Sequence, residues 1–150
     1  MGLLTKCLAR DLWMRIGIDM TDQQINIAIA EIHGTHKILS ENGDSIKIED
    51  KNGLVGAYDG KGYALPLKFT EPLNYCKDLN AIHQAWRDKV CSAGLTESYF
   101  GHLYEVVNNE PVDQIGYNYD DLVTCAEVAA TCANASAKQR AIALVNMFKK

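Results

Sequence analysis

No run of apolar residues in this 150-residue chain approaches the roughly 18 that a membrane-spanning helix needs, which excludes a helical membrane bundle. Arg10, Asp11 and Arg15 interrupt the apolar stretch that a signal peptide would require after Lys6. An excess of one charge is missing too: 15 Lys and Arg stand against 19 Asp and Glu, a formal net charge of −4. A dedicated nucleic-acid binder carries a basic face, so direct DNA binding is not expected, and the acidity is too mild for a mimic of DNA. The five cysteines (Cys7, Cys76, Cys91, Cys125 and Cys132) are odd in number and form no CxxC pair, which argues against a disulfide framework or a zinc ribbon. Cys125 and Cys132 are seven apart in a segment that reads as helix, where their Cα atoms would stand about 10 Å apart, beyond bridging reach. Free thiols and a cytoplasmic location are the expectation. Internal repeats and low-complexity segments are absent.

What is present reads as one globular domain. Hydrophobic residues make up 47% and charged residues 23%, and a domain of this length buries about two-thirds of the surface of its unfolded chain. Metal and disulfide are then not needed for stability. Thr21 and Gln24 form a capping box, followed by Ile25, Ala28, Ile29 and Ile32 at the spacing of one buried helical face, with Gly34 where a helix ends. This start signal sets the domain at residues 20–150. Residues 1–19 are an N-terminal extension that the fold is expected to dispense with, although Leu4, Leu8 and Leu12 could line a short amphipathic helix.

From His36 to Phe69 the pattern changes to strands. Asn42-Gly43, Asn52-Gly53 and Asp59-Gly60 are turn dipeptides. Ser45–Glu49 alternates with period two, and Leu54–Tyr58 and Tyr63–Leu67 read as further strands, the last curtailed by Pro66. Helices follow: about Asn74–Val90 with Leu79, Ile82 and Trp86 as its stripe, then Phe100, Leu103, Tyr104 and Val107 after Thr96. Leu122, Cys125, Ala126 and Ala129 mark a third. Ala141, Leu144, Val145 and Phe148 mark a last helix, opened by a capping box at Ser136 and Gln139. The predicted class is α+β, a helix–antiparallel sheet–helix sandwich with a helical C-terminal half. The meander is expected to pack on the first helix and on the Asp78–Trp86 helix.

Catalytic chemistry finds little support. Gly56–Gly62 is glycine-rich, but a phosphate loop needs Gly at Val55 and Ser or Thr at Gly62. His33 and His36 have metal-ligand spacing, but Gly34 ends the helix between them and no third ligand follows. Cys76, Asp78 and His83 are near in sequence, yet seven residues separate thiol and imidazole, too far for a hydrogen bond along one helix. Glu49/Asp50 and Asp120/Asp121 are adjacent pairs whose side chains point apart. No catalytic residue, metal ligand or cofactor is assigned. Tyr58, Tyr63, Tyr75, Tyr99, Tyr117, Tyr119 and Trp86 are more suggestive, because exposed tyrosine is an interface residue, although such rings also line cores.

Three stretches resemble one family. Residues 20–31, MTDQQINIAIAE, look like the opening helix of the phage ABA sandwich domain proteins. Residues 74–85, NYCKDLNAIHQA, resemble their Asp-Leu-Asn-Ala-(Met/Ile)-His-(Glu/Gln)-Ala motif. Residues 135–141, ASAKQRA, resemble their closing Ala-Thr-Ala-x-Gln-Arg segment. The order is the family's, and the match covers residues 20–150. Residues 1–19 have no counterpart, and the Tyr117–Cys132 connection is longer and richer in alanine. The resemblance implies a layered helix–sheet–helix protein of phages or prophages, a family without an established general activity. Proteins of this kind often act by binding.

The functional expectation is therefore a phage-encoded, non-enzymatic accessory protein in the host cytoplasm. It binds and inhibits a host protein complex, a defence assembly such as a CRISPR effector. The alternative is a sponge for nucleotide signals, with a pocket built on Lys61, Tyr63 and Arg87. A third reading is an enzyme whose site assembles only in three dimensions.

Overall fold

The computed structural model describes residues 20–43, 45–108 and 132–148. The N-terminal extension, the helix expected around Leu122–Ala129 and its Cys125 lie outside the described residues.

Helix α1 (Asp22–His33) begins and ends where the sequence places it. Thr21 is extended, its Oγ1 accepts the Gln24 N–H at 3.2 Å, and Gln24 Oε1 accepts the Thr21 N–H at 2.8 Å. At the far end Gly34 takes φ +87°, a conformation costly for a residue with a Cβ, and donates to the Ala30 and Glu31 carbonyls.

Strands β1 (Lys37–Asn42), β2 (Ser45–Glu49), β3 (Val55–Asp59) and β4 (Gly62–Ala64) form an antiparallel sheet in sequential order. The turns are held by carboxylates as well as by glycine. Asp50 Oδ1 accepts the Asn52 and Leu54 N–H groups at 2.9 Å, and Asp59 Oδ1 accepts those of Lys61 and Gly62 at 2.9 and 2.6 Å. The last strand is shorter than predicted. It stops before Pro66, and Pro66–Phe69 turns back with the Phe69 N–H on the Pro66 carbonyl.

Two apolar clusters share α1. Ile46, Ile48 and Tyr58 of the sheet, with Ile38, Leu65 and Phe69 at their margin, close on Ile27. Ile25, Ala28, Ile29 and Ala30 face the other helices. At about 100° per residue, Ile27 lies nearly opposite Ile25. The helical stripe in the sequence captured one face of α1; Ile27, only 1% exposed, discloses a second. Helix α1 is thus a middle layer between sheet and helices.

Helix α2 (Leu79–Trp86) starts later than the expected Asn74, because the Asp78 carboxylate caps it by accepting the Asn80 and Ala81 N–H groups. Leu79, expected in its buried stripe, is 55% exposed on the first turn; Ala81, Ile82 and Ala85 are the buried face. These residues belong to the helical cluster, not the sheet's, so the expected packing of the meander on this helix is replaced by packing on α1 and on Leu65 and Phe69. A π-helical turn, Arg87–Cys91, continues α2. Helix α3 (Thr96–Asn108) contributes Tyr99 and Leu103. Helix α4 (Ala137–Phe148) packs against α1, α2 and α3. It follows the Ser136–Gln139 capping box, with hydrogen bonds of 2.9 and 3.1 Å. It is buried all round from Ala141 to Met147, which makes the last helix in sequence the hub of the helical layer.

Candidate functional site

Three surface hollows meet at Tyr58, where the first turns of α1 approach the β3–β4 end of the sheet. The groove that holds Lys61 and Tyr63 has a volume of about 400 Å³. Its neighbours, of about 260 and 250 Å³, bring in Asp22, Gln23 and Asn26 from α1 and Glu71 and Lys77 from the segment before α2. The lining carries both charge signs and two tyrosine rings tilted against each other. Tyr58 is 4% exposed and forms the floor; Tyr63, 64% exposed, leans on it with ring centroids 6.0 Å apart. Burial, then the nearby Glu71 and Tyr63, push the Tyr58 hydroxyl up to about 12, so it remains a phenol.

One wall of the cleft is fastened by amides. Asn26 Oδ1 accepts the Cys76 N–H at 3.0 Å, and Asn26 Nδ2 donates to Asn74 Oδ1 at 3.2 Å. Asp22 is paired with Lys138 of α4 at 2.8 Å. Cys76 is buried beside them, its Sγ directed at the Asp22 carbonyl at 3.7 Å. Burial, reinforced by the Asp22 charge, raises its thiol to about 11. A thiol of that kind is a packing group rather than a nucleophile. Asp78 is occupied as the cap of α2, and His83 lies tilted against Trp86 with ring centroids 5.3 Å apart, so Cys76, Asp78 and His83 play separate parts.

Of the three residues expected to bind a ligand, the fold brings Lys61 and Tyr63 into one groove. Arg87 is not among the residues lining the cleft. It is exposed at the start of the π-helical turn, where its carbonyl accepts the Ser92 N–H and hydroxyl.

Two polar clusters were invisible in the sequence because their members are remote from one another. In the first, His33 Nε2 stands 2.7 Å from Asp88 Oδ2, and its Nδ1 is 3.2 Å from the Tyr75 hydroxyl. Gln84 Nε2 also donates to the Asp88 carboxylate. The hydrogen bond from His33, then that from Gln84, hold the Asp88 carboxyl below its ordinary value. Carboxylate, imidazole and hydroxyl stand in the order of a general-base relay, but Tyr75 is fully buried and its hydroxyl is raised by that burial. A reacting hydroxyl must meet substrate, so the line is a tie between α1 and the π-helical turn. In the second cluster, His36 Nε2 donates to the Thr70 carbonyl at 2.6 Å, and Asp50 Oδ2 accepts the Thr70 N–H at 2.9 Å. Both histidines of the HxxH spacing are therefore engaged in joining elements. Among the described residues, no group of three or more His, Cys, Asp or Glu is placed to hold a metal ion, and no helix is long and apolar enough to cross a membrane.

Compared with known proteins, the chain matches no family model, no curated protein and no solved structure.

Proposed function

We propose that the protein works by binding, without chemistry of its own, and that the cleft around Tyr58 and Tyr63 is its contact surface. The observation that carries this reading is Tyr63, a large ring held in the open by a second ring beneath it, with Lys61 on the same groove. A rigid aromatic with a polar tip gives contact area at small entropic cost. The resemblance to phage ABA sandwich proteins supplies the other side of the interaction. The partner is a host component, a defence complex of the CRISPR-effector kind, met in the host cytoplasm. The mild net charge of −4 supports a protein partner over DNA.

The same two residues favour one second reading, a nucleotide-signal sponge, because an exposed ring can stack on a base while an ammonium meets a phosphate. A paired experiment separates the two. The tagged full chain, Tyr63→Ala and Lys61→Glu are compared in capture from host lysate, beside a thermal-shift series with nucleotides. Capture by the parent chain that either substitution abolishes, with the melting temperature unchanged, supports the protein partner. A nucleotide at 100 times its dissociation constant would add about 2.7 kcal/mol of stability; that shift without any captured protein favours the sponge. Turnover of a ligand overturns both readings.

A further inference from the structure

Tyr58 is almost wholly buried, and its hydroxyl belongs to the little of it that stays open. The residue is 4% exposed, and its oxygen makes no hydrogen bond among the described residues, yet it is not one of the polar atoms sealed from solvent. A tyrosine buried to this degree ordinarily gives its hydroxyl a protein partner. Tyr58 instead lines the hollow of about 260 Å³ between the first turns of α1 and the Glu71–Lys77 segment.

The surroundings of that oxygen are negative. Glu71 lines the same hollow and is exposed, and among the described residues it has no ion-pair or hydrogen-bond partner. After burial, its charge is the largest influence on the Tyr58 hydroxyl, which therefore stays a neutral phenol beside a carboxylate. Both groups offer lone pairs. The neighbouring polar groups are already engaged. Asn26 is spent on the Cys76 N–H and on Asn74, and Asp22 on Lys138. Lys77, exposed, is the ammonium on this lining, and it forms no ion pair with Glu71. Ile27 and Pro72 supply an apolar wall.

From this we infer that the Tyr58–Glu71 hollow receives an arginine side chain of the protein partner, its guanidinium pairing with the Glu71 carboxylate and donating to the Tyr58 oxygen while its methylene stem lies on Ile27 and Pro72. The inference rests on the reading of the cleft as a protein-contact surface and states what the partner must present there. A planar guanidinium serves both carboxylate oxygens and keeps further N–H groups for the phenol, whereas an ammonium is a compact, more strongly hydrated charge. An anion reaching the same oxygen would have to approach Glu71. Size agrees: about 260 Å³, against the roughly 30 Å³ share of one liquid water, takes one long side chain but not a helix.

The test titrates the ¹⁵N-labelled full chain with Nα-acetyl-arginine N-methylamide, beside the matching citrulline and lysine compounds and inorganic phosphate. Citrulline keeps the shape of arginine and loses the charge. The expected result is a saturating shift of the amide signals of Glu71, Lys77 and Gln23 with the arginine compound, and binding about tenfold weaker for citrulline. Glu71→Gln, at an exposed position, should weaken arginine binding about tenfold. Tyr58→Phe, which keeps the ring and loses one neutral hydrogen bond, should weaken it about threefold; Glu71→Gln carries the test if this variant does not fold. Lys77→Ala, by removing a like charge, should strengthen it about threefold. Citrulline or lysine bound as tightly as arginine would overturn the assignment, as would indifference to Glu71→Gln or a response to phosphate alone. Arginine binding without any captured host protein would leave the pocket standing and remove the contact-surface reading. Host capture that needs Tyr63 but is unchanged in Glu71→Gln would overturn the pocket and leave that reading standing.

Discussion

Gly56, the second residue of β3, is the position where a single added methyl group tests the way the sheet closes on its own flank. In a strand residue free of left-handed backbone, glycine to alanine ordinarily gains about 0.4–1 kcal/mol by restricting the unfolded chain. Here the opposite sign is expected. A Cβ built on Gly56 would stand 2.7 Å from Leu65 Cδ2, 2.8 Å from Phe69 Cζ and 3.0 Å from Phe69 Cε1. The leucine tip can rotate away. The phenylalanine ring has less freedom, since it lies against His36 at 6.0 Å and within the cluster of Ile46, Ile48 and Tyr58. Overpacking of this kind costs about 1–3 kcal/mol, so Gly56→Ala should be destabilised by about 1–2 kcal/mol net of the entropic gain. For a chain of this length that lowers the melting temperature by about 3–6 °C. Calorimetry or thermal circular dichroism measures it directly. Phe69→Leu supplies the control: it removes the offending ring atoms, so in a double-mutant cycle the two substitutions should couple favourably by about 1 kcal/mol. A Gly56→Ala protein as stable as the parent, or strictly additive effects in the cycle, would refute this account of the Leu65–Phe69 flap.

Other outcomes follow from the same packing. Leu144→Ala, at the fully buried centre of α4, should cost about 2–5 kcal/mol in chemical denaturation; a loss under 1 kcal/mol would mean that α4 is not the hub. Among the described cysteines, Cys91 is exposed while Cys76 and Cys132 are buried with thiols raised by that burial. In the native state a thiol reagent should therefore modify Cys91 well before those two, and after unfolding all five cysteines should react without prior reduction. Acid should also weaken the fold through Asp50 and Asp88. Both carboxyls are held below the ordinary 3.8, Asp50 chiefly by the Thr70 N–H and Asp88 chiefly by His33. A depressed carboxyl contributes stability that is complete above its unfolded value and fades as pH falls through the folded one. Asp50→Asn should accordingly be less stable than the parent at neutral pH, with the gap in urea midpoint narrowing below about pH 3.8; a constant gap would exclude the mechanism.

The local signals in the sequence were sufficient for the boundaries of α1 and for the sheet. Thr21, Gln24 and Gly34 act on backbone groups within a few residues of themselves, and Asn-Gly or Asp-Gly turns specify which strand follows which. Both kinds of information are short-range and survive in a one-dimensional reading. Lys61 and Tyr63 could be singled out together for the same reason, being two apart on one hairpin. Other features depended on what lies across space. Ile27 looks like an interruption of a helical stripe until the sheet is laid against it, and Leu79 looks like part of a stripe until the Asp78 cap puts it on an outer first turn. The His33–Asp88 and His36–Thr70 ties span 55 and 34 residues, and the aromatic hollow beside Trp86 takes walls from α2, α3 and α4. Periodicity records which side of its own element a residue occupies. Which element comes to rest against that side, and which hydroxyl is left there without a partner, is decided only when the layers close.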